Sequence, residues 1–275
     1  MSSIAVGPLS LSIAQGLMLV AFGVALFAGA VAGRREQVSV GGPLTDVLLW
    51  SLVCARIGFV ALYFDHYRDD PLGMIDIRDG GFHLVSGLIG CVIAAAWELW
   101  RHPRVRQALG IAITIGVVVW ALPWGLIKLM QVQGQGIPDV AVESRDGKAV
   151  ALETMADGQP MVVNLWASWC PPCVREMPVL EQAQESHRNV AFVFVNQGEG
   201  TPTINSFLDE HDLTLRNVVL DRQRQVASNT GSQGLPTTLF YNASGQLMSV
   251  HHGELSSATL ADNLTEFGID TGDNN

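Results

Sequence analysis

Cys170 and Cys173 stand two residues apart in Trp169-Cys170-Pro171-Pro172-Cys173. A Cys-x-x-Cys pair at the start of a helix places its first sulfur among the unpaired N–H groups of the helix N-terminus, where those groups and the macrodipole stabilise a thiolate. Cys170 is then the expected attacking nucleophile, exposed and of lowered pKa. Cys173, one turn inside and partly covered, resolves the mixed disulfide by attacking Cys170. Two other uses of such a pair are half of a zinc site and a structural disulfide. Zinc needs two further Cys or His ligands. This half of the chain has no third cysteine, and His187, His211, His251 and His252 show no ligand spacing. A structural disulfide is rarely tucked into a strand–helix turn behind a tryptophan.

The elements that must position this pair are legible around it. Met161 to Trp166 is an apolar run of strand length, bounded upstream by Asp157-Gly158-Gln159-Pro160. Ala167 to Cys170 forms a turn, and Pro171 and Pro172 suit the first positions of a helix. That helix is expected to reach His187 with Val174, Met177, Leu180 and Ala183 on its inner face. Val190 to Val195, a helix over Thr203 to His211, a strand at Val218 to Leu220 and a short helix at Gln223 to Ser228 follow. Thr237 to Tyr241 and Gln246 to His251 read as strands joined by the hairpin signal Asn242-Ala243-Ser244-Gly245. Ser256 caps a last helix, Ser257 to Phe267. Alternating strands and helices closed by a hairpin and a helix describe an α/β thioredoxin-like domain.

The rest of the chain has a different character. Of the 275 residues, those up to 133 hold nine basic and eight acidic side chains, whereas 134–275 hold seven basic and eighteen acidic. So acidic a domain would repel a phosphate backbone, which argues against nucleic acid as a partner. Four runs are apolar over the ~20 residues a membrane span requires: Leu11 to Ala32, Leu44 to Phe64, Phe82 to Trp100 and Ala108 to Met130. Pro123 and Gly125 are expected to bend the fourth. Met1 to Gln15 contains no Lys or Arg to form the n-region of a cleavable signal, so the first run is expected to stay as a span. Arg34 and Arg35 lie in the first connection and Arg101, Arg104 and Arg106 in the third, which makes both cytoplasmic by the positive-inside rule. The second, with Asp69, Asp70, Asp76 and Asp79 against Arg68 and Arg78, then lies outside with both termini. Residues 1–133 thus form a four-helix transmembrane anchor, and 134–275, after a hinge at Gln131 to Gly136, an extracytoplasmic domain. In a Gram-negative cell this is a multi-pass inner-membrane protein with a periplasmic thioredoxin-like domain.

The stretch Asn164-Leu165-Trp166-Ala167-Ser168-Trp169-Cys170-Pro171-Pro172-Cys173-Val174-Arg175-Glu176-Met177-Pro178 resembles the active-site segment of the TlpA/ResA-like thiol-disulfide oxidoreductases, and Gly234-Leu235-Pro236-Thr237-Thr238 resembles that family's cis-proline loop. The resemblance implies a cis peptide at Pro236 beside the disulfide, with the Leu235 backbone free to pair with a substrate strand. It implies a buried, proton-shuttling Glu176, where the residues alone allow an exposed helix carboxylate, and a Trp169 that packs over the sulfurs. Asn164 stands where cytosolic thioredoxins have a buried aspartate, which leaves Glu176 as the remaining acid. Implied partners are protein substrates with disulfides or thiols and a transmembrane electron donor of the DsbD/CcdA kind; no cofactor is implied. Spacing does not fix the redox direction. Reduction of protein disulfides is the reading adopted, and oxidation or isomerisation fed by an oxidising partner stays open.

A second resemblance covers part of the membrane half. Cys54-Ala55-Arg56-Ile57-Gly58-Phe59, Asp76 to Phe82 and Ser86-Gly87-Leu88-Ile89-Gly90 are similar to the first half of prolipoprotein diacylglyceryl transferase. An ungapped match puts Val85, Ser86 and Gly87 where that family has His-Gly-Gly, the nearby imidazole being His83, and the family's later helices are missing. The region is therefore expected to serve as an anchor or docking surface; a lipid-modifying transferase with an accessory thioredoxin domain and a non-catalytic adaptor are the rival readings. Arg56, deep in the second run, is a candidate for a site role or a buried partner. Glu98 is expected to snorkel to the interface beside Trp97 and Trp100. Cys54 and Cys91, each alone in a span, read as small buried hydrophobes rather than as an electron relay.

Overall fold

The computed structural model describes residues 4–6, 9–11, 13–34, 37–68, 71–131, 136–232 and 234–266. The expected hinge, apart from its end residues, together with Arg35, Asp69, Asp70 and Phe267, lies outside them. Two compact units are present: Ile13–Val132, and Gln133–Asn275 together with Met1–Ser12.

In the first unit, α1 (Ile13–Gly33), α2 (Gly41–Leu62), α3 (Leu84–Arg101) and α4 (Arg106–Gln131) are, among the described residues, four helices long and apolar enough to cross a membrane. The first begins later than expected, because Leu11 belongs to a short hairpin of β1 (Ile4–Val6) and β2 (Leu9–Leu11). Small residues let the helices approach closely. A Cβ on Gly90 would lie 2.5 Å from Cys54 Cβ, and one on Gly29 would run into a Val40 methyl. The fourth helix runs through Pro123.

Arg56 is buried and has the partner that its depth demands. Its Nη1 is 2.9 Å from Asp79 Oδ1 and also donates to the Gly81 carbonyl, its Nε donates to the Met74 carbonyl, and its Nη2 donates to the carbonyls of Gly73 and Asp76. Tyr67 donates its hydroxyl to the other Asp79 oxygen at 2.9 Å. Glu98 departs from expectation: its carboxylate is buried, 3.5 Å from His102 Nε2, rather than extended to solvent. One turn of helix separates the two side chains.

In the second unit, β3 (Ala141–Ser144), β4 (Ala149–Ala151), β5 (Met161–Trp166), β6 (Ala191–Gln197), β7 (Val218–Asp221), β8 (Thr237–Tyr241) and β9 (Leu247–His252) form one sheet in the order β4-β3-β7-β6-β5-β8-β9. β5, β6 and β7 are parallel, linked by α5 (Pro171–Ser186) and α6 (Thr201–Glu210), and β8 and β9 close the sheet antiparallel. α7 (Gln225–Thr230) and α8 (Ser257–Glu266) complete the unit. β3 and β4 have no counterpart in the sequence reading.

Every residue of β5 is buried, as expected of a strand covered on both faces. Alternation then sorts its side chains. Met161, Val163 and Leu165 pack into one core layer, while Val162 and Trp166 pack into the other with Cys170, Cys173 and Met177. Asn164 shares the parity of that second set, which aims it at α5. Ser256 Oγ accepts from Thr259 N–H as the α8 cap, and the Asn242–Gly245 turn is closed by a 3.0 Å bond from Asn242 N to the Gln246 carbonyl with Gly245 at φ +73°.

A candidate disulfide centre at the start of α5

β5 delivers the chain to the Ala167–Trp169 turn, and Pro171 and Pro172 open α5 where an N–H has no intrahelical partner to lose. Cys170 is the N-cap, and its sulfur accepts the Cys173 N–H at 3.3 Å. The two cysteines are joined as a disulfide with their Cα atoms 5.2 Å apart. Cys170 is 4% exposed and Cys173 fully buried. The expectation of an exposed Cys170 is thus not met in the disulfide form, because its sulfur is turned inward onto Cys173.

The turn before the pair is held by a carboxylate that the sequence reading missed. Glu199, after β6, accepts from Ser168 N–H at 2.8 Å and from Ser168 Oγ at 2.5 Å. Asn196 steadies it from below, its Nδ2 donating to Glu199 Oε2 at 2.7 Å and its Oδ1 accepting the Glu199 N–H at 3.1 Å. Trp169 is not packed into the core beside the disulfide. It is 60% exposed, and Trp166 is the tryptophan inside the core. Their positions explain the difference: Trp166 ends a strand buried on both faces, whereas Trp169 stands on the outer side of a turn pinned at Ser168.

Glu176 lies one turn beyond Cys173 and is buried, not on the exposed face of α5. Its Oε1 accepts from Asn164 Nδ2 at 2.8 Å, and its Oε2 accepts from Leu255 N–H at 2.9 Å. Asn164 Nδ2 also donates to Thr238 Oγ1 on β8. Burial pushes the Glu176 carboxyl up to about 8. The two hydrogen bonds pull the other way, and the Glu254 charge adds to the rise. Desolvation therefore wins over hydrogen bonding, which makes this carboxyl a proton donor and acceptor near neutral pH.

The Leu235–Pro236 peptide is cis, and Leu235 packs against the core layer that holds both cysteines. The Pro236 carbonyl accepts from Gly253 N–H at 3.0 Å. The structure thus brings Cys170, Cys173, Glu176 and the Pro236 loop to one layer of the sheet and leaves the Trp169 ring largely in solvent. Cys54 and Cys91 are free thiols in the other unit.

A disulfide between an N-cap and the third residue of its helix, on a thioredoxin-like sheet, defines a thiol-disulfide oxidoreductase. Residues 132–264 match the redoxin family model, and residues 3–127 match that of prolipoprotein diacylglyceryl transferase. The chain is 30% identical over 125 residues to thiol-disulfide oxidoreductase ResA of Halalkalibacterium halodurans, covering 45% of this chain and 70% of that protein. It is 29% identical over 144 residues to ResA of Bacillus subtilis, covering 51% and 79%. Among solved structures it is similar to MTB dsbF in its mixed oxidized and reduced forms, at 28% identity and TM-score 0.43, over 47% of this chain and 95% of that one. The chain belongs to the ResA-like thiol-disulfide oxidoreductases, and it carries in addition an N-terminal region similar to prolipoprotein diacylglyceryl transferase.

Proposed function

We propose that this chain is a membrane-anchored, extracytoplasmic reductase of protein disulfides in which Cys170 attacks, Cys173 resolves and Glu176 carries the proton. The observation that supports it most is the buried Glu176 carboxyl, one helical turn from a disulfide at a helix N-terminus. In the reduced protein the Cys170 thiolate attacks a substrate disulfide. One substrate sulfur becomes bonded to Cys170 and the other leaves as a thiolate that takes up a proton. Cys173, deprotonated by Glu176, then attacks Cys170 Sγ, restores the Cys170–Cys173 bond and releases the second substrate thiol. Two electrons pass to the substrate, and its two sulfurs leave as thiols.

The surroundings of the pair support the reducing direction. A strong oxidant needs a stabilised reduced form. Here Pro171 and Pro172, with no ionisable side chain, separate the cysteines, and Glu176, buried one helical turn beyond Cys173, offers no positive charge to stabilise a thiolate. The Leu235 backbone beside Pro236 is the edge on which a substrate strand would pair.

For placement, the Arg34 and the Arg101, Arg104 and Arg106 connections between spans face the cytoplasm, so the disulfide domain lies outside, in the periplasm of a Gram-negative cell. A reductase there is out of reach of cytoplasmic reductants and needs a transmembrane donor of the DsbD/CcdA kind, with membrane lipid around the four helices.

Replacing Cys170 with Ser tests the reading. Reduction of insulin disulfides by the full chain in detergent is expected to vanish. The reading is wrong if the variant keeps wild-type rates. The midpoint potential fixes direction: about −270 mV, as for thioredoxin, supports a reductase, and about −120 mV makes the chain an oxidase.

A further inference from the structure

Two consecutive residues of α5 hold two consecutive residues of the turn after β9. Arg175 Nε lies 3.0 Å from each carboxylate oxygen of Glu254, and the next residue along, Glu176, accepts from the N–H of Leu255. The outer rung of this ladder is open to water, with the Arg175 side chain 49% and that of Glu254 25% exposed, and the inner rung is sealed. A half-exposed ion pair contributes little to stability. Its field nevertheless reaches a buried carboxyl one residue away, where little solvent intervenes to screen it. The turn that carries Glu254 also donates Gly253 N–H to the Pro236 carbonyl, so the same backbone segment joins Glu176 to the Pro236 loop.

Building on the assignment of the proton to Glu176, we propose that the Arg175–Glu254 ion pair is a positioning and charge-setting device that fixes the pH at which Glu176 gives up that proton. The other groups around Glu176 leave this role to the pair. From β5 it meets Asn164, which is neutral and is bonded in turn to the neutral Thr238 of β8. On its own helix Cys173 is the titratable neighbour, bonded to Cys170 here. On β9, His251 Nε2 lies 3.1 Å from the Glu254 carbonyl, and His252 Nδ1 lies 3.3 Å from Thr237 Oγ1, with burial holding the His252 imidazole below its ordinary value. Glu254 is the charge that acts on Glu176, raising its carboxyl, and Arg175 is the counter-charge bound to Glu254.

Two substitutions of the outer rung then have opposite signs. Glu254→Gln removes the negative charge that raises the carboxyl, so Glu176 ionises at lower pH. Arg175→Gln leaves Glu254 unbalanced, so Glu176 ionises at higher pH. Each shift is expected to be about half a pH unit, the scale of a partly screened charge. The measurement is the carboxyl carbon resonance of Glu176 against pH in the full chain, oxidised, in detergent, with 13C-labelled glutamate and Glu176→Gln to assign the signal. Arg175→Lys, which keeps the charge, is expected to titrate within a few tenths of a unit of wild type. If the pair served only to hold the turn, both Gln variants would loosen the Leu255 N–H bond and move Glu176 upward together. Shifts of the same sign, or no shift in either variant, overturn the proposal. Because the resonance is read in the oxidised protein without turnover, the result stands apart from whether Cys170→Ser abolishes disulfide reduction.

Discussion

The two units each bury a charged side chain among polar partners, and the two are built in opposite ways. Around Arg56 the structure supplies an acceptor for every nitrogen of the guanidinium: the Asp79 carboxylate and the carbonyls of Gly73, Met74, Asp76 and Gly81. Around Glu176 it supplies one donor per oxygen, Asn164 Nδ2 and Leu255 N–H, which is too little to offset burial, and the carboxyl rises to about 8. A buried charge with all its bonds made is a fastener, because any change of state forfeits several of them. One that is under-provided sits near the balance point between its two protonation states, as proton-transfer chemistry requires. The same contrast bears on the transferase-like region. Its arginine has spent its donors on the loop at residues 73–81 and has none free for an anionic group.

The contrast breaks first at Arg56. Arg56→Met would leave Asp79 buried without its counter-charge and five donor contacts unmade, which is expected to cost about 3–5 kcal/mol. Thermal unfolding of the full chain in detergent should show the membrane unit melting earlier while insulin reduction is unchanged. A melting temperature equal to wild type would mean that the loop holds itself without the arginine.

Glu176 sharpens the contrast through pH. Its folded value of about 8 lies above the ordinary 4.5, so between those values the folded state binds a proton that the unfolded state has released. The contribution is fully present below pH 4.5 and is lost as pH rises towards 8, at about 1.4 kcal/mol per pH unit within that window. Glu176→Gln cannot ionise and is expected to remove this decline. Denaturant midpoints of the second unit at pH 5, 6.5 and 8 check it: wild type should fall along the series and the variant stay level. Equal slopes in both would show that Glu176 is charged at neutral pH.

How far these features were legible in the sequence differs between strands, turns and side chains. β5 and α5 could be placed closely, because an apolar run bounded by Pro160 and a helix opened by Pro171-Pro172 are local signals. β3 and β4 could not. They are three or four residues long and are held by antiparallel pairing, β3 to both β4 and β7, with no pattern of their own. Burial of Glu176 was an expectation from the family resemblance, since position on a helix does not say what packs over it. Glu254 and Leu255 come to Arg175 and Glu176, respectively, from 79 residues along the chain, a distance at which no periodicity speaks. The states of Cys170 and Trp169 depended on the turn at Ala167–Trp169, and Glu199 holds that turn at Ser168.

Glu199 is the smallest perturbation of the comparison, a carboxylate that is used to hold backbone. Its two oxygens take the Ser168 N–H, the Ser168 hydroxyl and Asn196 Nδ2. Glu199→Gln can keep its amide oxygen on the Ser168 N–H and Asn196 Nδ2 and turn its amide nitrogen to the Ser168 hydroxyl, so what it removes is the charge on the acceptor. The loss of charge assistance is expected to be worth about 1 kcal/mol, since the residue is only half-buried. That figure corresponds to an approximately fivefold faster hydrogen exchange at the Ser168 amide, with the amides of Val162 to Leu165 in β5 unaffected. If Ser168 exchanged at the wild-type rate, the turn before Cys170 would have to be shaped by the strand end and Pro171 alone, and the charge on Glu199 would be incidental to it.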